Sequence, residues 1–364
     1  MSRLRILALE PYYGGSHRAV LDGLASRIDA DWTLLTMPAR KWKWRMRGAA
    51  ITMAAEAQEL DREGATFDLV FASTFVNLAE FRGLVGSRIA AVPAIVYFHE
   101  NQLVYPNRHT AEWDFQFPLT NITSALSAER CLFNTRWNLE RFVAEIPGFI
   151  REFPDHHPKG LAETIAAKSQ VLAPPFDPGA FDAAPPSRGQ RCRIVWPHRW
   201  EHDKNPDAFF SAVARLAEEG LDFEVVVAGQ AFSDVPESIL AAEARLGERL
   251  VHVGEPGDRS AYARLLASCD VAVSTADNEF FGIAMVEASY AGCFPLVPDR
   301  LAYPELYPPA MRYRDGDELV ARLRELVPSP PAPGAARSLA ERYTFDALLP
   351  GYDAVFREVA AVTR

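Results

Sequence analysis

The sequence is poor in cysteine and has no long apolar run. Its cysteines are Cys131, Cys192, Cys269 and Cys293. No two of them have the close spacing of a zinc knuckle or a redox dithiol. No stretch approaches the roughly 20 apolar residues that a membrane-spanning helix needs, and Arg5 interrupts the short apolar run Leu4–Leu9, unlike a signal peptide. We therefore expect reduced cysteines and a cytoplasmic protein that does not enter a membrane.

An excess of positive charge is also missing. The chain carries 38 Lys and Arg residues against 48 Asp and Glu residues, which gives a formal net charge of −10 at pH 7. This balance argues against diffuse binding of the whole surface to nucleic acid or to an anionic membrane. A basic patch of limited size is still compatible with it.

The residues that are present predict an α/β fold. The 364 residues are 49% hydrophobic and 24% charged, as in ordinary globular proteins, and the length is typical of two domains. Short apolar runs alternate with longer helix-like segments, which predicts parallel sheets covered by helices. The clearest strand candidates are Leu4–Leu9, Leu69–Ala72, Ala94–Phe98, Arg193–Trp196, Phe223–Ala228 and Val271–Ser274.

Proline-rich segments mark the predicted domain boundaries. Prolines crowd residues 173–190, and we place the first domain at residues 1–184 and the second at 185–342. A second proline-rich run, 328–334, cannot be helical and separates a last segment, 343–364, from the second domain. Two similar domains facing each other across a cleft would offer a usual place for a small ligand.

A pair of glycines follows the first predicted strand. Gly14 and Gly15 stand where the first helix opens, and glycine lets a ligand approach the backbone closely. Ser16 is a candidate cap for this helix. An ordinary strand-to-helix turn would carry the same residues, so the glycines alone leave a structural and a functional role equally open.

Carboxylates follow the strand candidate Val271–Ser274. Glu279 lies in a polar turn, and a helix that begins near Gly282 carries Glu287 on its apolar face. A carboxylate on an apolar face is costly to bury without a partner, and ribose hydroxyls would supply one. A solvated helix face is the simpler alternative.

Two cations follow the first strand of the second domain. Arg199 offers a fork of hydrogen-bond donors and Lys204 a compact charge, a combination suited to a diphosphate. Either residue could instead form a salt bridge at the surface.

Taken together, these residues resemble the donor site of the retaining GT-B glycosyltransferases of family 4. The matching pattern is an Arg and a Lys separated by four residues, followed by two glutamates with a Phe-Gly pair between them. The resemblance implies that Arg199 and Lys204 bind the donor diphosphate. It implies that Glu287 binds the ribose and that Glu279 binds hydroxyls of the donor sugar.

The same resemblance implies further contacts and a fold. Backbone amides around Phe281 and Gly282 would reach sugar or phosphate, and the glycine-rich loop of Gly14 and Gly15 would approach the donor phosphate and the acceptor. His99 matches a histidine near the donor sugar, although by itself it is more typical of a structural histidine. The fold implied is GT-B, with two Rossmann-like domains and a C-terminal helix that crosses back to the first.

A closer resemblance extends over almost the whole chain. The strings that carry it are Tyr13–His17, Lys41–Arg45, Phe98–Pro106, Trp196–Lys204 and Glu279–Gly282. They resemble the tRNA-queuosine mannosyltransferases. That family implies transfer of mannose from the nucleotide sugar GDP-mannose to a hydroxyl of the queuosine cyclopentene ring, in the anticodon of aspartate tRNA. It implies no metal and no cofactor beyond the donor, and Ser16 and His17 would lie on the acceptor side.

The prediction of the acceptor depends on a basic segment, Arg40–Arg47, which we call the basic stripe. It interleaves five basic residues with Trp42 and Trp44, and its candidate acceptor-binding members are Lys41, Trp42, Lys43, Trp44, Arg45 and Arg47. Basic groups contact phosphates and aromatic rings stack on unpaired bases, as in recognition of an RNA loop. The same composition could dip into an anionic membrane surface or form a solvated loop with two packed tryptophans.

Other functions compatible with the sequence are a family 4 transferase with a lipid or small-molecule acceptor, and a noncatalytic sensor of RNA or nucleotide sugar. A sensor need not keep the whole donor pattern of Arg199, Lys204, Glu279 and Glu287. We therefore expect an active transferase.

Overall fold

The computed structural model describes residues 3–105, 114–229 and 236–362, within which the chain forms two compact units. Unit 1 comprises Met1–Pro175 and Leu348–Arg364, and unit 2 comprises Phe176–Ala347. Pro106, the last residue of one string that carries the family resemblance, lies outside the described residues. The described helices include none that is both long and apolar enough to cross a membrane.

Unit 1 is built on a parallel sheet in the order β2-β1-β3-β4-β5-β6. Its strands are β1 (Leu4–Tyr13), β2 (Ala30–Pro38), β3 (Leu69–Ser73), β4 (Ala94–Phe98), β5 (Arg130–Phe133) and β6 (Ser169–Val171). Every residue of β3 and β4 is buried. Continuous apolar strands of this kind form the centre of a parallel sheet that helices cover on both faces.

The helices of unit 1 alternate with these strands. They are α1 (Gly15–Arg27), α2 (Trp42–Arg62), α3 (Leu78–Leu84), α4 (Ser87–Ala90), α5 (Gln116–Ser127), α6 (Arg136–Arg151) and α7 (Leu161–Ala167). The last helix of the chain, α17 (Phe345–Ala360), contributes its residues from Leu348 onward to the same unit. There the Tyr352 hydroxyl donates to the carbonyl of Ala173 at 3.0 Å, and Phe356 packs on Phe71.

Unit 2 repeats the architecture with the strand order β12-β11-β10-β7-β8-β9. Its strands are β7 (Cys192–Trp196), β8 (Phe223–Ala228), β9 (Leu250–Gly254), β10 (Val271–Val273), β11 (Phe294–Pro298) and β12 (Arg312–Tyr313). Its helices are α8 (Gly179–Asp182), α9 (Pro206–Glu218), α10 (Glu237–Leu240), α11 (Ala242–Leu246), α12 (Arg259–Ala267), α13 (Ile283–Ala291), α14 (Tyr303–Leu306), α15 (Gly316–Leu326) and α16 (Arg337–Glu341). Short 3₁₀ turns occupy His202–Lys204, Gly247–Arg249 and Pro309–Met311.

Each sheet has a switch point, which is the strand at which the order of strands along the sheet reverses. In unit 1 the strand order reverses at β1, which lies between β2 and β3, and in unit 2 it reverses at β7, between β8 and β10. Ligands of open parallel sheets bind beyond the carboxyl ends of the strands at such switch points. The residues that follow β1 and β3, and those that follow β7 and β10, are therefore the first candidates for function.

The compact units divide at different residues from those predicted. Residues 176–184, which we assigned to the first domain, pack in unit 2. Phe176 forms an isolated parallel β-bridge with Thr344, and the Tyr290 hydroxyl donates to Asp182 of α8 at 3.0 Å. The proline-rich stretch is thus partly folded into the second unit rather than serving as a linker. The last segment likewise divides, because residues 343–347 belong to unit 2.

All four cysteines are free and buried, as expected. Burial raises the pKa of the Cys131, Cys192 and Cys269 thiols to about 12. These groups are therefore protonated at neutral pH and chemically inert.

Candidate functional site

Lys204 is the centre of the polar site in unit 2. It lies between β7 and α9 and is only 7% exposed. Its ammonium donates to the carbonyl of Asn278 at 2.7 Å and lies 3.3 Å from Oε2 of Glu279 and 3.2 Å from Oδ2 of Asp203. Burial lowers its pKa, but the Glu279 and Asp203 carboxylates outweigh burial, and the net pKa is raised above its ordinary value. The side chain is therefore a permanent buried cation.

Several hydrogen bonds tie the loop after β7 to the loop after β10. The Thr275 hydroxyl lies 2.9 Å from the carbonyl oxygens of both Lys204 and Asn205, which share its single hydrogen, and it accepts from the Trp196 indole at 3.0 Å. The amide of Asp277 donates to the carbonyl of Asp203 at 2.8 Å. These bonds bring Lys204 and Glu279 together although they are far apart in sequence.

Arg199 lies in the same loop but is more exposed. Its side chain is 48% exposed, and its guanidinium is 3.4 Å from Oε2 of Glu201. Its positive charge partly opposes the raised pKa of Lys204, so the two cations are within electrostatic range. His198, between them and the strand, is buried, and burial together with the charge of Lys204 lowers its pKa to about 3. Within the part of the chain that the structure describes, its Nε2 has no hydrogen-bond partner.

The Phe-Gly pair ends the loop and begins α13. Gly282 is the residue preceding the helix, as predicted, and has a φ of +90°. A Cβ there would lie 2.9 Å from Cε1 of Tyr303, so only glycine fits without displacement. The Phe281 side chain is buried against Tyr343, while its amide donates to Oε1 of Glu279 at 3.4 Å. Phe281 therefore contributes its backbone amide to the site, while its ring packs in the interior.

Glu287 is buried on α13, but a protein side chain already partners it. Its Oε1 accepts from Nη2 of Arg259 at 2.6 Å, and the Arg259 guanidinium also lies over the rings of Phe181 and Tyr262. We expected this buried carboxylate to have only ribose hydroxyls of a ligand as its partner, and that expectation was wrong because Arg259 already binds it. Arg259 begins α12, and no local pattern connects it with Glu287.

The glycine pair in unit 1 has two separate structural explanations. Gly14 is extended, and a Cβ there would lie 2.5 Å from the Cβ of Ala39. Gly15 has a φ of +52°, which glycine tolerates better than other residues. Gly14 is the residue preceding α1, and no side chain of the described residues caps this helix, so the predicted cap by Ser16 is wrong. Ser16 is exposed.

A carboxylate and two imidazoles meet where β1 and β4 end. Oε2 of Glu10 lies 3.1 Å from Nδ1 of His17, and both residues are buried. The His17 ring stacks on the His99 ring, with 3.9 Å between their centroids. Burial and the charge of His17 lower the pKa of His99 well below its ordinary value. His99 is therefore neutral at physiological pH.

A chain of buried asparagines fixes the backbone around His99. The carbonyl of His99 accepts from Asn134 at 2.6 Å, and Asn138 donates to Asn134 at 2.8 Å and to the carbonyl of Phe98 at 3.3 Å. Asn101 in turn donates to Asn138 at 2.6 Å. Fully bonded polar networks of this kind are rigid, which keeps His99 in place.

The basic stripe lies at the start of α2, and its two tryptophans differ. Trp42 packs on Phe75 and Phe117, whereas Trp44 is 68% exposed. Arg45 donates to the carbonyl of Pro38 at 3.1 Å, and Arg47 pairs with Asp114.

The remaining basic residues of the stripe, Arg40, Lys41 and Lys43, are exposed. The stripe therefore combines packed and exposed members. Trp44 and the two lysines are its outward-facing part, while Trp42, Arg45 and Arg47 also hold the local structure together.

One group of described side chains could hold a metal ion. Glu10, His17 and His99 each offer one ligand atom, and these atoms lie within 4.8 Å of one another. Three ligands of this type with an open position are common in catalytic zinc sites.

The predicted site residues thus fall into two groups. Lys204, Glu279, Phe281 and Gly282 come together in unit 2, with Arg199 within electrostatic range of Lys204; His17 and His99 come together in unit 1. Sequence reasoning missed Glu10, Asp203, His198 and Arg259. Glu10 carried a usable signal, because it follows an apolar strand directly, where a buried carboxylate requires a partner.

Two family models match the chain. The model described as tRNA-queuosine alpha-mannosyltransferase N-terminal matches residues 5–176, and the model described as glycosyl transferases group 1 matches residues 180–310. The first covers β1, His17, the basic stripe and His99, and the second covers Arg199, Lys204, Glu279 and Glu287. Each group of site residues therefore falls within one model.

Curated relatives agree with these matches. The chain is 38% identical over 331 residues to a tRNA-queuosine alpha-mannosyltransferase of Drosophila melanogaster, covering 87% of this chain and 85% of that protein. A shorter match, 32% identical over 104 residues, links 29% of the chain to 26% of a GDP-mannose-dependent alpha-(1-6)-phosphatidylinositol dimannoside mannosyltransferase of Mycobacterium tuberculosis.

Solved structures show the fold. Anabaena Alr3699/HepE in complex with UDP and glucose matches with a TM-score of 0.69 at 14% identity, covering 98% of this chain and all of that one. Sucrose-phosphate synthase from Thermosynechococcus elongatus matches with a TM-score of 0.71 at 13% identity, covering 99% and 100%. The expected GT-B fold of two Rossmann-like domains is confirmed. With the identity to the Drosophila protein over most of both chains, the protein is a glycosyltransferase and belongs to the tRNA-queuosine alpha-mannosyltransferase family.

Proposed function

We propose that the protein transfers mannose from GDP-mannose, with retention of configuration, to a hydroxyl of the cyclopentenediol of queuosine in the anticodon of aspartate tRNA. The observation that carries the proposal is the buried Lys204–Glu279 pair at the switch point of unit 2, in a chain 38% identical to the Drosophila enzyme. A tRNA acceptor fits a reaction in the cytoplasm.

The donor half of the reaction belongs to unit 2. Lys204 is charged at any physiological pH, and Arg199 adds the several hydrogen-bond donors of a half-exposed guanidinium. Together they stabilise the negative charge that develops on a departing diphosphate. Glu279 accepts hydrogen bonds from hydroxyls of the sugar, and Glu287 from those of the ribose, with Arg259 holding Glu287 in place. The name of the mycobacterial relative, which is GDP-mannose-dependent, supports this donor.

Retention follows when the acceptor hydroxyl attacks from the face that the diphosphate leaves. The bond between the anomeric carbon and the phosphate oxygen breaks, and the bond to the acceptor oxygen forms. The leaving phosphate oxygen takes the acceptor proton. The amides at the start of α13, preceded by Gly282, add a favourable partial charge for the anionic leaving group.

We propose that this chemistry needs no metal ion. Asp-x-Asp pairs occur at Asp29 and Asp31 and at Asp315 and Asp317. The first pair binds Arg3, while Asp315 caps α15 and Asp317 pairs with Arg215. Neither pair belongs to the Lys204 site, where two cations are available for the diphosphate.

The acceptor half belongs to unit 1. Trp44 is exposed enough to stack on an unpaired base, and the exposed Lys41 and Lys43 can contact phosphates on either side of it. A chain with a net charge of −10 binds RNA through such a local patch rather than through its whole surface.

The test is transfer in vitro. The purified protein is incubated with GDP-mannose and with tRNA that contains or lacks queuosine, and the digested nucleosides are analysed by mass spectrometry. We expect a hexose on queuosine only, with no change in rate after treatment with a metal chelator. Hexose on neither tRNA, or equally on both, would refute the proposed acceptor.

Parallel reactions with UDP-glucose and GDP-glucose test the donor, and anomer analysis of the product tests retention. If chelation abolishes transfer, metal independence is wrong, and the Glu10–His17–His99 group becomes the place to look for the ion.

A further inference from the structure

The Glu10–His17 pair has a geometry that a merely structural ion pair does not need. Glu10 is 4% exposed and lies near the end of β1, the strand at which the strand order of unit 1 reverses. Its Oε1 accepts from the amide of Tyr12 at 2.9 Å, and its Oε2 lies 3.1 Å from Nδ1 of His17. Both oxygens are therefore used, and the backbone of β1 itself fixes the carboxylate.

This arrangement determines which nitrogen of His17 is available. An ionised carboxylate only accepts hydrogen bonds, so Nδ1 of His17 carries a hydrogen and donates it to Glu10. Its Nε2 is the nitrogen left for another group, and it has no hydrogen-bond partner among the described residues. The stacked His99 ring and the nearby rings of Tyr12 and Phe75 restrict the orientation of the imidazole.

A continuous series of aromatic contacts connects His17 with the basic stripe. Tyr12 stacks on Phe75 with 4.9 Å between centroids, and Phe75 meets Trp42 edge to face at 6.5 Å. Trp42 is the first residue of α2, two positions before the exposed Trp44. A nucleotide bound at the stripe is therefore connected to His17 by one packed cluster within unit 1.

We propose that Glu10 is a positioning residue. It holds His17 in the tautomer whose Nε2 accepts a hydrogen bond from the attacking hydroxyl of the acceptor, and so orients that hydroxyl for the attack. The inference rests on the proposed function and adds to it the group that aligns the acceptor. Glu10 itself does not touch the acceptor and acts only through His17.

The main test replaces the carboxylate by its neutral isostere. A glutamine can either accept from Nδ1–H or donate to bare Nδ1, so Glu10→Gln allows both tautomers of His17. We expect kcat to fall about 100-fold, the size of effect that misalignment of a reacting group produces. KM for tRNA and affinity for GDP-mannose stay within about twofold, because phosphate and donor contacts are untouched.

Two variants provide the controls. Glu10→Asp keeps an accepting carboxylate and recovers part of kcat. Ser73→Ala alters the same small cavity, which Glu10, His17, Ser73 and His99 line. It removes only a hydroxyl that has no hydrogen-bond partner among the residues the structure describes, and we expect it to keep wild-type kcat. In the double variant Glu10→Gln/His17→Gln, kcat is no lower than in His17→Gln alone, because Glu10 acts through His17.

Several results would overturn the inference. These are wild-type kcat in Glu10→Gln, a loss in that variant shared equally by tRNA and donor binding, or additive losses in the double variant. Nitrogen-15 shifts of the His17 ring give a readout that does not depend on turnover: we expect Nδ1–H with bare Nε2 in the wild type and a mixture in Glu10→Gln. A wild-type protein that shows this tautomer but does not modify queuosine refutes the proposed function alone.

Discussion

The polar residues at the switch point of unit 2 are mostly charged, whereas those at the switch point of unit 1 are imidazoles and aromatic rings around one carboxylate. Lys204 lies between the carboxylates of Asp203 and Glu279, and Glu10 instead holds a histidine. Both groups follow strands of similar parallel sheets. The sheet therefore decides where a ligand can bind, and the side chains after each strand decide which chemistry it meets.

This contrast separates the two halves of the proposed reaction. An ionic cluster is suited to a nucleoside diphosphate, and a carboxylate–imidazole pair beside aromatic rings is suited to a hydroxylated base. If the two halves are separate, a substitution in one unit weakens the binding or use of one substrate and leaves binding of the other substrate unchanged.

The largest expected effect is that of Lys204→Met. Removing one partner of a buried ion pair leaves uncompensated carboxylates and typically costs about 3 kcal/mol or more. We expect urea denaturation to show a loss of this size and calorimetry to show no GDP-mannose binding. In Lys204→Met/Glu279→Gln, part of the stability returns because one unpaired charge is gone, but donor binding does not. Near-normal stability and binding in the single variant would contradict the role of Lys204.

Arg199→Ala separates chemistry from stability. Arg199 is half exposed, so we expect the free energy of unfolding to change by less than about 0.5 kcal/mol. Transfer should fall about 100-fold or more, as when one donor to a developing anion is removed. Affinity for tRNA, measured by filter binding, should be unchanged. Arg215→Ala is a matched control, because this arginine is 45% exposed and pairs with Asp317. Equal activity of the two variants would remove Arg199 from the site.

Substitutions in the basic stripe test the other half of the comparison. Trp44→Ala should weaken tRNA binding by about 1 to 3 kcal/mol, the value of one stacked base. Lys41→Gln/Lys43→Gln should reduce the slope of log affinity against log salt by about 1.4, two single-stranded phosphate contacts at about 0.7 each. GDP-mannose binding should stay at the wild-type level in both.

Arg62→Gln, at the far end of the same helix, is the control for the salt slope. Arg45 is left unchanged in this series because it holds the carbonyl of Pro38. An unaltered slope in the double lysine variant would show that the RNA binds elsewhere.

The smallest expected effect at neutral pH concerns His198, which, like His99 in unit 1, is kept neutral by its surroundings. Its folded pKa of about 3 lies below its ordinary value, so its contribution to stability is present above about pH 6.5 and is lost as pH falls toward 3. His198→Gln should flatten the fall in unfolding free energy over this range by at most about 1.4 kcal/mol per pH unit. Denaturant titrations of both proteins at pH 7, 5.5 and 4.5 measure this difference, and parallel curves would argue against a buried neutral His198.

The sequence predicted several elements of the fold well because these depend on local patterns. Apolar runs of strand length gave β4 at its observed bounds, and glycine at position 282 marked the start of α13. The family resemblance assigned Lys204 and Glu279 to one donor site but did not predict the contact between them. That contact depends on hydrogen bonds between loops, such as that from Asp277 to Asp203, that no local pattern encodes.

The failures have physical reasons as well. Arg259 and Glu287 lie on different helices, so their pairing is visible only after α12 and α13 pack. Trp42 and Trp44 were treated alike because the stripe was considered without its helix. In α2, Trp42 shares a face with the buried Met46 and Met53, while Trp44 points away from it.

The two-part composition of unit 1 has a consequence for synthesis of the protein. Tyr352 and Phe356, which pack against Tyr97 and Phe71 of its sheet, are synthesised after the whole of unit 2. Unit 2 is a continuous segment and is complete in the nascent chain before them. Domains usually fold in the order in which they are synthesised, but here unit 1 is begun before unit 2 and can be completed only after it.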